Sequence, residues 1–247
     1  MPRAEWSYRR QGISVRRIVL VAVVTAIVAG LGRVTAAEAR CKPGQSGTQL
    51  FLPEASPSPD TTLTRLQQRY DCSTSFQANF DETLSSPGGM ARTRKGTVYF
   101  RKVGRMRWDF AAPSEGTIVS DGQTVYDYEK DLNQVVELPV SRALKSSATA
   151  FLLGLGNIRR DFNVSMPRAS SNDGLVHVIL TPKGGGDTMD LGLDPKSYDI
   201  VNFKLTNQVG GVTELKFSDI RINVALDDSL FRFTIPEGAD IVRPQKN

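Results

Sequence analysis

Ser75-Phe-Gln-Ala-Asn-Phe80, Gly96-Thr-Val-Tyr-Phe100 and Met106-Arg-Trp-Asp-Phe110 are three short runs in which large apolar side chains alternate with polar ones. Alternation with period two predicts half-buried β-strands, which puts Phe76, Ala78 and Phe80, then Val98 and Phe100, then Met106, Trp108 and Phe110 on one inward face. Tyr126 and Tyr128 follow with the same spacing. Outward from this core the pattern continues through Ser75–Glu82, Gly96–Lys102, Arg105–Phe110, Thr117–Ser120, Thr124–Glu129 and Gln134–Leu138. Beyond it lie Asp161–Met166, Leu175–Thr181, Thr188–Leu193, Ile200–Asn207, Val212–Ile222 and Phe231–Ile235. Asp121-Gly122, Glu129–Leu132, Gly184–Gly186 and Gly210-Gly211 supply the reversals. Consecutive strands on short turns make an antiparallel meander, and a sheet of about eleven strands is expected to curl into a barrel or fold into a sandwich.

An inward apolar face needs a cover, and only two helical stretches are available. Asp60 is placed to cap a first helix through Tyr70, in which Leu63, Leu66, Gln67 and Tyr70 share a face. The second, Ser141–Gly156, carries Leu144, Ala148, Phe151, Leu152 and Leu155 as one apolar stripe, with Gly154 and Gly156 at its end. A curved sheet with a helical lid buries both stripes. From Asp60 to about residue 243 there is no repeat, charge block or second linker, so 60–243 reads as one domain.

Before that domain the chain reads as an address. Arg16-Arg17 precede an unbroken apolar run from Ile18 to Leu31, followed by small residues and Ala37-Glu38-Ala39. This is the order of a secretory signal, so residues 1–39 are expected to be removed after Ala39. The alternative is an uncleaved anchor, but such a run rises only about 21 Å as a helix against a hydrocarbon core of about 30 Å. Six of the 31 Lys and Arg and two of the 26 Asp and Glu lie in this segment, so the remainder holds 25 bases and 24 acids. The basic balance thus belongs to the address, and the near-neutral body has no electrostatic footprint for DNA or RNA. Arg9-Arg10 and Arg16-Arg17 lack the continuation of a twin-arginine signal. Arg40 before Cys41 argues against a lipid-modified cysteine, so the mature chain reads as soluble and exported. Residues 40–59, with Pro53, Pro57 and Pro59 among Gly and Ser, read as a linker.

Cys41 and Cys72 are the two cysteines, and an even count in an oxidising compartment favours a bridge. Closing that loop contributes about 3–4 kcal/mol in the chain-entropy account. Two unpaired thiols are the alternative.

Catalytic signatures are scarce. One His and two Cys are too few for a zinc or iron–sulfur site built by this chain, and no cofactor is expected. His177 lies in the strand pattern Leu175-Val-His-Val-Ile-Leu180, and no G-x-S-x-G elbow accompanies it. Neither Gly154-Leu-Gly156 nor Gly184–Gly186 joins a strand to a helix or precedes G-K-[ST], so neither is a phosphate loop. Asp60, Asp81 and Asp121 fall at caps, margins and turns, and Asp109 is an unremarkable strand acid. A non-enzyme is the expectation.

The ordered set Leu66-Gln-Gln-Arg-Tyr70, Ser75–Phe80, Gly96–Phe100, Met106–Phe110, Ile118-Val-Ser-Asp-Gly122, Tyr126-Asp-Tyr128, Asn133-Gln-Val135 and Phe231-Arg-Phe-Thr-Ile-Pro-Glu-Gly238 resembles the periplasmic outer-membrane lipoprotein carrier (LolA) family over about residues 60–243. The resemblance implies an unclosed β-barrel with a helical lid. It also implies a periplasmic, monomeric carrier of acylated lipoproteins, loaded by an inner-membrane ABC-type release complex and unloaded by an outer-membrane lipoprotein receptor. Phe76, Phe80, Val98, Phe100, Met106, Trp108, Phe110, Tyr126 and Tyr128 are the candidate lipid-binding residues of the sheet. Leu144, Phe151, Leu152 and Leu155 are those of the lid. Each of these also fits plain core packing.

Family members often follow the G-x-[VL]-[YW] strand with a basic residue and Pro, the basic group latching the lid. Here the matching pair is Lys102-Val103, which keeps the charge but not the planar fork of arginine. Besides the outer-membrane receptor of the same fold, which would need the lipid anchor that Arg40 argues against, two other functions fit the same scaffold. One is a sensor that binds a lipid or lipoprotein and reports to a membrane partner; the other is an enzyme on an apolar substrate using Asp109, Lys102 or His177.

Overall fold

A computed structural model of the chain describes residues 58–102, 104–140, 158–167 and 172–243. The expected signal segment, Cys41, most of the linker, Val103 and the helix expected at Ser141–Gly156 lie outside the described residues.

Helix α1, Pro59–Asp71, starts where Ser58 Oγ accepts from the backbone N–H of Thr61 and Pro59 takes the first position. The cap is therefore Ser58 and not the expected Asp60, which sits in the first turn and pairs with Arg159 at 2.6 Å. A Pro directly after a Ser moves the start two residues earlier, because proline tolerates the first helical turn.

Twelve strands follow: β1 Ser75–Ser85, β2 Arg92–Arg101, β3 Arg105–Phe110, β4 Gly116–Asp121, β5 Thr124–Glu129, β6 Gln134–Pro139, β7 Phe162–Ser165, β8 Val176–Pro182, β9 Thr188–Leu193, β10 Ile200–Thr206, β11 Val212–Ile222 and β12 Asp240–Val242. Helix α2, Ile158–Asp161, precedes β7. All twelve form one sheet in the order β12-β6-β5-β4-β3-β2-β1-β11-β10-β9-β8-β7. Two meanders meet where β1 pairs with β11, and the sheet ends at β12 and β7 without closing. The described residues are mainly β with few helices, on an open sheet.

The last expected strand, Phe231–Ile235, is not one. Asp228–Phe231 is a 3-10 turn, and the chain pairs again only at β12, which runs parallel to β6. The alternation of Phe231 and Phe233 has a different cause: this segment lies across the back of the sheet. Arg107 donates to the carbonyl of Leu230 and the Arg101 guanidinium lies 4.9 Å from the Phe231 ring centre. Phe233 stacks on Tyr126 at 5.3 Å. Val119, Val135 and Phe231 are buried as a second, smaller apolar layer.

The main core is on the opposite, inner face. Leu63, Leu66 and Tyr70 of α1 and Ile158 of α2 join Val178, Leu180, Met189, Leu191, Leu193, Phe203, Leu205 and Leu215 in one buried cluster with the aromatic strands. Arg69 fastens α1 with a forked pair to Asp199, at 2.7 and 3.0 Å, and the Tyr70 hydroxyl accepts from the backbone N–H of Ile200. Burial foremost holds the Tyr70 phenol far above its ordinary pKa, so it stays a neutral hydrogen-bonding group.

Candidate functional site: the inner face of the sheet

Residues directly opposite one another on antiparallel strands share a face. Ala78 lies opposite Val98, Val98 opposite Trp108 and Trp108 opposite Ile118. Phe80 and Phe110 flank Gly96, while Phe76, Phe100, Met106 and Ser120 form the neighbouring row. The expected inward set Phe76, Phe80, Val98, Phe100, Met106, Trp108 and Phe110 is therefore brought together, and Phe217 of β11 joins it opposite Phe80.

The rings form a continuous array of edge-to-face and tilted contacts. Phe80 lies 4.8 Å from Trp108 and 5.4 Å from Phe110, Phe100 lies 5.8 Å from Trp108, and Phe76 contacts Phe100 at 5.8 Å and Phe217 at 5.9 Å. Gly96 makes this possible. A Cβ there would meet the carbonyl oxygen of Asp109 at 1.8 Å and the Phe80 ring at 3.0 Å. Phe76, Phe100, Phe217, Leu138 and Ile220 are only half-buried, so one margin of the face is less covered than its centre.

Tyr126 and Tyr128 do not belong to this set. On β5 the residues facing inward are Val125, opposite Ser120, and Asp127, opposite Ile118. Tyr126 and Tyr128 point to the back of the sheet, where both contact Phe233. Spacing alone does not fix which face is inward: the strand turns Val125 and Asp127 inward, and Phe233 of the C-terminal segment covers the two tyrosines behind.

Lys102, just beyond β2, reaches α1. Its Nζ donates to the carbonyls of Tyr70 at 2.8 Å and Asp71 at 2.9 Å, at the negative end of the helix dipole. Burial lowers its pKa, and the nearby Asp71 carboxylate partly offsets this. Cys72, the next residue of that helix end, is disulfide-bonded, and its partner lies outside the described residues.

Besides the inward Asp127, two polar features beside the aromatic array escaped sequence reading. Glu82 and Arg94 are directly opposite on β1 and β2, paired at 2.6 Å with side chains 0% and 7% exposed. The Arg94 guanidinium lies 4.4 Å from the Phe110 ring centre, a cation–π contact that closes the far end of the aromatic array. Arg94 has the same parity as Gly96, Val98 and Phe100, which is the signal that marks it as inward. The other feature is Trp108. Its indole N–H is buried without a hydrogen-bond acceptor among the described residues.

The remaining candidates face elsewhere. Asp109 is on the back of the sheet, where it accepts from Arg107 and from the Thr117 hydroxyl. His177 is held between Asp190 at 3.0 Å and Asp173 at 2.9 Å. No group of three or more His, Cys, Asp or Glu suited to a metal ion occurs among the described residues.

The chain matches a model of the family described as outer membrane lipoprotein carrier protein LolA over residues 71–234, from the end of α1 to just past Phe233. It belongs to that family. Similar proteins named outer-membrane lipoprotein carrier protein include one from Methylobacillus flagellatus, 31% identical over 72% of this chain and 86% of its own length. One from Hahella chejuensis is 34% identical over 68% and 81%, and one from Cupriavidus pinatubonensis is 36% identical over 61% and 71%. The matched span contains the whole aromatic array, the Glu82–Arg94 pair and Lys102.

Proposed function

We propose that this protein is a periplasmic carrier that shelters the acyl chains of lipoproteins on the inner face of its open sheet and ferries them from the inner to the outer membrane. The observation that carries this reading is the aromatic array of Phe76, Phe80, Phe100, Trp108, Phe110 and Phe217 on the inner face of a sheet with two free ends, in a chain of the lipoprotein carrier family. Its donor would be an inner-membrane ABC-type release complex and its acceptor an outer-membrane lipoprotein receptor. No helix among the described residues is long and apolar enough to cross a membrane. Cleavage after Ala39 and pairing of Cys72 with Cys41 belong to the same reading, as does a lid contributed by Leu144, Phe151, Leu152 and Leu155.

Acyl chains gain about 0.8 kcal/mol per buried methylene, so two or three full chains gross tens of kcal/mol. Non-covalent affinity saturates near about 18–21 kcal/mol, and a carrier approaching that limit would not release its cargo. An open sheet under a helical cover answers the difficulty. The cover packs on the apolar face when empty, and that packing is lost on loading, which subtracts from the affinity. Lys102 ties the end of α1 to the end of β2, so it latches the cover in the empty state. Met106 is flexible and polarisable, and the aromatic faces are broad, so the surface accepts chains of varied shape. Hand-over then needs an acceptor with a more accessible apolar surface and no chemical step.

The test is direct. Protein purified from the cell envelope should hold a triacylated lipoprotein in solution with one-to-one stoichiometry and pass it to acceptor membranes. Phe100→Asp, at the half-buried margin, should retain the β circular-dichroism spectrum and lose loading. Failure of the unaltered protein to keep the lipoprotein soluble overturns the carrier reading.

A further inference from the structure

The Trp108 indole is 3% exposed and sits in the middle of the aromatic array, yet its N–H has no oxygen or nitrogen to donate to among the described residues. Its surroundings explain why. Its cross-strand neighbours are Val98 and Ile118, and the rings around it are Phe80, Phe100 and Phe217. An aromatic face is the only acceptor such neighbours offer, and N–H···π contacts are second-order. A buried donor left unpaired is costly, and a phenylalanine would pack in the same array without that cost.

We propose that Trp108 is a specificity-determining residue whose indole N–H donates to the ester carbonyl that links an acyl chain to its head group. The inference rests on the carrier reading and adds the polar contact that hydrocarbon burial lacks. The chemistry selects the partner. A hydrocarbon tail has no acceptor, and a hydroxyl, amine or phosphate would bring donors or charges that this apolar neighbourhood leaves unpaired. An ester carbonyl is acceptor only and stands at the head of the chain it serves. Trp108 is also well placed along the strand: it lies two residues beyond Met106, whose row includes the half-buried Phe76 and Phe100, and two before Phe110. A carbonyl held there would leave its chain free to run among the rings toward the closed end at Arg94. The array thereby reads the acyl linkage and not merely greasiness.

The experiment compares dodecanoylglycerol, an ester, with the matching dodecyl glyceryl ether, which keeps the chain and the hydroxyls but has no carbonyl. Binding to the envelope-purified protein is measured by calorimetry, alongside the ¹⁵N–¹H resonance of the Trp108 indole, assigned with Trp108→Phe. The ester should bind about tenfold more tightly, an advantage in the range of one hydrogen bond. It should also move the indole proton downfield, which the ether should not do. In Trp108→Phe the ester should lose about tenfold more affinity than the ether. Equal binding of the two lipids with an unmoved indole resonance overturns the role of Trp108 and leaves the carrier reading intact. Binding of neither lipid overturns both. The resonance is read on the unaltered protein, so the outcome does not depend on how well the variant folds.

Discussion

The two halves of the inner face are built from different side chains. On β8, β9 and β10 it is mostly aliphatic, with Val178, Leu180, Met189, Leu191, Leu193 and Leu205 beside a single Phe203 at 0–3% exposure and Val176 half-buried at its edge, and the hydrogen bonds of α1 to Tyr198, Asp199 and Ile200 fasten the helix over it. On β1, β2, β3 and β11 it is aromatic, with a half-buried margin at Phe76, Phe100 and Phe217. Branched aliphatic chains interlock and lose packing steeply when disturbed, whereas rings in edge-to-face contact present broad faces that a guest can share. One half therefore anchors the helix, and the carrier function proposed above assigns the other, with its half-buried margin, to cargo.

The largest effect should come from the anchor. Arg69 and Asp199 have side chains 8% and 13% exposed. Arg69→Ala leaves the carboxylate nearly buried and unpaired, and should cost about 3–5 kcal/mol in urea denaturation. Next, Leu191→Ala should cost about 2–5 kcal/mol by leaving a cavity. Phe100→Ala, at the half-buried margin, should cost only about 1–2 kcal/mol and yet weaken acyl binding far more. Equal stability losses from Leu191→Ala and Phe100→Ala would mean that both halves are ordinary core.

Lys102 connects the halves, since it stands at the end of β2 and holds the last carbonyls of α1. Lys102→Met should cost about 1.5–2 kcal/mol, low in the range of hydrogen bonds from a charged donor because Lys102 is only half-buried. It should also speed the exchange of a bound fluorescent fatty acid. Lys102→Arg should restore most of the stability; slow exchange in Lys102→Met would show that the contact caps the helix without latching it.

Much of this arrangement was legible in the alternation of residue types. Arg105–Phe110, Thr124–Glu129, Thr188–Leu193 and Val212–Ile222 are strands with those bounds, and the inward parity of Phe76 through Phe110 holds. What failed did so because it depends on contacts remote in sequence. Tyr126 and Tyr128 have the right period but the other face, a choice made by Phe233 more than a hundred residues later. β2 begins at Arg92, earlier than expected, because its charged start is paired across the strand, Arg94 with Glu82. A lone arginine in a strand looks solvent-facing until its partner is known. Likewise, Phe231 to Ile235 alternates like a strand because it lies against a sheet face, and period alone does not distinguish a face from an edge.

The smallest expected effect concerns the outside of the aliphatic half and appears only as a pH dependence. Each ring nitrogen of His177 has a carboxylate oxygen within 3.0 Å, from Asp190 on β9 and Asp173 before β8. A neutral imidazole donates from one nitrogen only, so both contacts are satisfied only in the protonated form. Burial alone would depress its pKa, but hydrogen bonds and charge attraction from Asp190 and Asp173 outweigh it and raise the pKa above 6.5. A raised folded-state pKa means that the protonated histidine contributes stability fully below pH 6.5, and that this contribution fades as pH rises through the folded-state value. The melting temperature should therefore fall between mildly acidic and mildly alkaline buffer, and His177→Gln should flatten the slope. The aromatic half carries no such clasp, so acyl binding should change little over the same range. A loading curve that follows the His177 titration would show that the two halves are coupled and that the anchor is not as fixed as its packing implies.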